Sequence, residues 1–132
     1  MTSASRVAGV RRRGTYVLLD IAVVASFVLI GRDTHNESAG AAEVIRTGAP
    51  FVLALVGAWL TPLVHRKPWR VESGVAVGLI TAGLGIFFRS VVFGEGISGL
   101  FPVVTAGYLI GLMIIPRLIA LVRSRTRAAR AI

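Results

Sequence analysis

Four apolar runs, residues 16–30, 47–64, 74–88 and 100–115, are separated by short linkers and leave almost nothing for a soluble domain. A helix needs about 20 residues to cross a lipid core, with ~17 tolerated. The first run must therefore borrow Gly14, Thr15 and residues 31–34, and the third must borrow residues 71–73. The third continues through Arg89 to Phe93 and the fourth through Arg117 to Val122. These bounds predict membrane-spanning helices near 14–34, 46–64, 71–93 and 100–122, flanked by basic segments at 1–13 and 123–132. Composition agrees: 55% of residues are hydrophobic and 16% charged, with mean hydropathy +0.77, whereas soluble domains carry roughly 25% charge. The predicted fold is all-α, a polytopic membrane protein built as a four-helix bundle. A cleavable leader is disfavoured, because the first run ends well before the small-residue tract 38–42 and contains Asp20.

Orientation follows from the basic residues. Arg6, Arg11, Arg12 and Arg13 precede the first span, Arg66, Lys67 and Arg70 join the second to the third, and Arg123, Arg125, Arg127 and Arg130 follow the fourth. With four spans these groups share one side, which the positive-inside rule makes cytoplasmic, so a cell-membrane protein with both termini in the cytoplasm is expected. The net charge of +9 then reflects topology and attraction to anionic lipid headgroups, worth ~1 kcal/mol per residue near the surface. Nucleic-acid binding is not expected.

Three charges interrupt the spans: Asp20, Arg89 and Arg117. Each costs roughly 2.5–3.5 kcal/mol at a helix centre on insertion scales, so a partner, a cavity or an interfacial anchor must compensate. Counted from Gly14, Asp20 lies ~9 Å deep; counted from Val122, Arg117 lies ~7.5 Å from the same boundary. The two occupy one level and are predicted to pair. The alternative is that Arg117 snorkels to headgroups while water or Arg70 reaches Asp20.

Small residues four apart occur in every span: Ala22 and Ser26, Ala54 and Ala58, Gly74 with Gly78 and Ala82, and Gly107 and Gly111. They allow close helix approach, and the third span, which adds Gly83 and Gly85, is the predicted central helix. Pro62 and Pro68 bracket the cytoplasmic loop and should stop the second span, Pro102 fits a first helical turn, and Pro116 should bend the fourth span or free a carbonyl beside Arg117. Trp69 reads as an interfacial anchor, whereas Trp59 packs or lines a cavity.

Arg89 belongs to the outer end. Arg32, Asp33, His35, Glu43 and Glu95 cluster there, either as a site for an anionic or zwitterionic ligand or as a salt-bridged rim. No cysteine is present, and the two histidines, His35 and His65, fall on opposite sides under this topology. No metal, haem or other cofactor is therefore expected. A phosphate-binding glycine loop and a catalytic constellation are also lacking, so no enzymatic activity is expected.

At Asp20, Gly31-Arg32-Asp33-Thr34-His35, Pro50-Phe51, Trp59, Gly74, Arg89 and Phe101 through Arg117, the chain resembles the prokaryotic membrane family called domain of unknown function 3054. The resemblance covers nearly the whole chain, and the Gly-Arg-x-x-His element is its most specific part. Pro102 and Pro116 depart from the family pattern, which has a non-proline residue and an aromatic there. The resemblance implies the four-helix topology and assigns no activity.

Two functional classes follow. One is a small transporter, channel or proton-coupled carrier in which Asp20 changes protonation or ligand state; it implies a homo-oligomer, because four short helices enclose little cavity. The other is a structural or accessory membrane protein that binds a partner protein or anionic lipid.

Overall fold

The computed structural model describes residues 2–34, 41–91, 99 and 101–131, excepting the side chains at 31–34, 41, 43 and 101. These residues form five helices: α1 (Ser3–Thr34), α2 (Ala41–Leu60), α3 (Pro62–Arg66), α4 (Val71–Val91) and α5 (Phe101–Arg130). Three helical segments, Ser3–Ile30, Val71–Val91 and Pro102–Arg130, are long and apolar enough to cross a membrane. The apolar part of α2, Val44–Leu60, is shorter.

Helices α1 and α5 outrun the predicted spans, and α2 begins at Ala41 rather than 46. Helix α1 begins at Ser3 rather than Gly14, with the Ser5 N–H donating to Thr2 Oγ1 at 3.3 Å, a threonine cap on an orphan donor of the first turn. Helix α5 continues to Arg130, because arginine is a good helix former and nothing in 117–130 breaks the ladder. At 1.5 Å per residue α1 and α5 are about 48 and 45 Å long, beyond the ~30 Å of a hydrocarbon core. The second predicted span ends early, at Leu60. Thr61 is extended (φ −76°, ψ 138°) and Pro62 opens the separate turn α3, as a proline pre-set for the first helical position does.

Helix α4 packs against both α2 and α5, and α1 touches α2 and α5 at the side. Glycine makes the close contacts. A Cβ on Gly78 would lie 2.6 Å from Ile110 Cα, and one on Gly85 would strike the Phe51 ring. The core fills with Phe51, Leu55, Val77, Leu109 and Met113. Phe27 joins it, its ring centroid 5.1 Å from Phe51 and 5.5 Å from Tyr108. Outer faces carry Leu18, Val52, Leu79 and Val103, each half or more exposed, an apolar exterior of the kind that monomeric soluble proteins avoid.

Candidate functional site

The structure brings Asp20 of α1 and Arg117 of α5 into a two-pronged ion pair. Arg117 Nη1 donates to Asp20 Oδ1 at 2.8 Å and Nη2 to Oδ2 at 2.9 Å, the planar match that gives arginine–carboxylate pairs their strength. Both residues are completely buried. At such a site every remaining polar group needs a partner, and neighbouring elements supply them. Trp59 of α2 donates its indole N–H to Asp20 Oδ2 at 3.1 Å. Arg117 Nε donates to the Pro68 carbonyl at 2.7 Å, and Nη1 donates also to the Met113 carbonyl at 2.7 Å. The guanidinium carbon lies 5.2 Å from the centroid of the Tyr16 ring, within cation–π reach. One charge pair thus ties together α1, α2, α5 and the link between α3 and α4.

Local sequence explains the acceptors. Pro116 has no N–H for the Leu112 carbonyl, which loosens that turn of α5, and the next carbonyl, Met113, takes the Arg117 side chain. Pro68 is buried, and its link is held by Ser73, whose hydroxyl lies 2.9 Å from the Leu63 carbonyl and 2.7 Å from the Lys67 carbonyl. Gly74 completes the cradle: a Cβ there would stand 2.5 Å from Arg117 Cδ and 3.1 Å from the Met113 carbonyl. Any larger residue would displace the arginine.

Arg70, the alternative partner for Asp20, is exposed and faces Glu72, Nε to Oε2 3.6 Å. Arg117 does not snorkel. Trp59 packs at the core edge, and sequence reasoning missed its role as a donor to Asp20. It also missed Tyr16 and the Pro68 and Met113 carbonyls; only Trp59 carried a signal, an indole N–H in an apolar run that has to find an acceptor.

At the other end, Arg89 is half-buried in the last turn of α4, a position where a cation suits the helix dipole. His35 and Glu95 lie outside the described residues, as do the side chains of Arg32, Asp33 and Glu43. Among the described residues no three His, Cys, Asp or Glu side chains converge as metal ligands.

Two clefts open where the start of α1 meets the end of α5. The larger, about 560 Å³, is lined by Arg12, Tyr16, Pro116, Arg123, Ser124 and Arg127. The smaller, about 300 Å³, is lined by Arg12, Trp69, Arg70, Glu72, Ser124 and Arg125, among others. Tyr16 walls the larger cleft on one side and abuts Arg117 on the other, and neither cleft is lined by Asp20 or Arg117.

No curated protein and no solved structure shows significant similarity to the chain. The family model described as protein of unknown function (DUF3054) matches residues 17–120, a stretch that holds Asp20, Trp59, Pro68, Gly74, Met113 and Arg117. The chain therefore belongs to the DUF3054 family.

Proposed function

We propose that the chain is a multi-pass accessory protein of the cell membrane, with α1, α2, α4 and α5 crossing the bilayer and both termini cytoplasmic. In this reading Asp20 and Arg117 form a permanent latch rather than a transport site, and the protein acts by presenting its basic end to lipid or a partner. The observation that carries it is how fully the pair is hydrogen-bonded. Four of the five guanidinium N–H groups have acceptors, both carboxylate oxygens accept from Arg117, and the indole N–H adds a third bond.

A carrier would have to open this arrangement in each cycle. Releasing Asp20 would break two charge-assisted bonds and leave a buried charge uncompensated, at a cost of about 3–5 kcal/mol. Helix α2 would cross with about 17 residues, the short end of the workable range. The reading assigns no catalytic step and requires no oligomer. Purified protein in liposomes, assayed for proton and solute flux, tests it: wild type and Asp20→Asn are both expected to match empty vesicles. Flux through wild type that Asp20→Asn abolishes would establish the carrier instead.

A further inference from the structure

We infer that the paired clefts between α1 and α5 form a binding site for an anionic phospholipid whose headgroup carries two phosphates. The inference rests on reading this end of the bundle as the one that meets headgroups. Three features of the clefts point to that ligand.

The first is charge. Arg12, Arg123 and Arg127 surround the larger cleft with no carboxylate among its lining residues. Among the described residues Arg123, Arg125 and Arg127 have no acidic partner, because Glu72 is turned to Arg70. Arginines that line a concave surface without a carboxylate among them suit phosphate oxygens, which accept from the planar guanidinium fork. The Ser124 and Tyr16 hydroxyls on the wall offer further donors.

The second is the shared wall. Arg12, Ala120 and Ser124 line both clefts, so the two are lobes of one site divided by Arg12. The Arg12 guanidinium carbon stands 4.0 Å from the centroid of the Trp69 ring, and that stacking holds it between the lobes. One phosphate in each lobe, joined by a short polyol, would share Arg12. A single phosphate would leave one lobe empty.

The third is the apolar lining, which distinguishes a lipid from a free phosphate. Pro116, Ile119 and Ala120 give the larger lobe an apolar wall, and one turn earlier on the same side of α5 that wall continues through the exposed Ile115 and the half-buried Leu112. Acyl chains would run along this face while the headgroup stays among the arginines. Basic pockets between helices at a membrane surface are suited to such headgroups.

Titration of the detergent-solubilised protein, followed by intrinsic tryptophan emission, provides the test, because Trp69 stacks on the dividing arginine. Diphosphatidylglycerol should change the emission at a concentration at least about tenfold below that needed with phosphatidylglycerol at matched phosphate, and the change should vanish in Trp69→Phe. Phosphatidylcholine and inorganic pyrophosphate should leave it unchanged. The Arg123→Gln/Arg127→Gln variant should bind about 25-fold more weakly, from about fivefold per arginine. Arg6→Gln/Arg11→Gln removes equal charge away from the clefts and should change binding by less than one such step, under about fivefold.

Equal loss in both double variants would reduce the effect to diffuse surface attraction and overturn the site. A response to pyrophosphate equal to that of the lipid would overturn the lipid assignment, and equal response to the one-phosphate lipid would overturn the two-lobed occupancy. Flux in the liposome assay with lipid binding intact would overturn the accessory reading alone.

Discussion

Arg117 does at one position what no other side chain can. Its fork meets Asp20 twice while Nε and the second Nη1 hydrogen reach the Pro68 and Met113 carbonyls. A lysine keeps the charge but offers three donors from a single nitrogen and cannot span those acceptors. Arg117→Lys is therefore expected to destabilise the protein nearly as much as Arg117→Gln in thermal unfolding, and a near-wild-type midpoint for the lysine variant would show that charge alone suffices. Trp59→Phe keeps a smaller aromatic ring and removes one bond to a carboxylate, whose loss alone should cost about 1.5–3 kcal/mol. Counting residues from the span ends was enough to place Asp20 and Arg117 on one level. The rest of the shell was not legible, because a backbone carbonyl such as that of Met113 has no signature in sequence and Pro68 reads there only as a helix stop.

Among helices, the small-residue pairs look alike in the sequence but differ in the fold. Gly74, Gly78 and Gly85 of α4 are each filled from across the interface, by Arg117, Ile110 and Phe51. Gly83, Gly107 and Gly111 meet nothing within 4 Å. Gly78→Ala should thus lower the unfolding midpoint, since the obstructing atom is backbone and overpacking typically costs about 1–3 kcal/mol. Gly107→Ala should be neutral or slightly stabilising through helix propensity. Equal midpoints for the two variants would contradict the α4–α5 packing. The sequence pattern pointed to the third span as central because it is richest in glycine, and α4 does contact both α2 and α5. It did not show the helical continuation of α1 and α5 beyond the apolar runs, since hydropathy marks where lipid would begin and not where hydrogen bonding ends.

For the whole molecule, the start of α1 and the end of α5 line one cleft, so the two chain ends lie at the same end of the bundle. Under the proposed four-crossing topology a membrane-impermeant maleimide applied to intact cells should miss both Ser5→Cys and Ala129→Cys and label Glu37→Cys. The chain has no cysteine of its own, which makes single-cysteine variants unambiguous. Labelling of positions 5 and 129 from opposite faces would contradict the topology. The latch is the feature on which this arrangement turns, since it joins α1 to the other helices at a wholly buried point. A double-mutant cycle on unfolding free energy with Asp20→Asn, Arg117→Gln and the combined variant measures it directly. Each single change should cost about 3–5 kcal/mol by stranding the other partner, and the double should cost clearly less than their sum. Additivity within about 0.5 kcal/mol would mean that the two residues do not act as a pair.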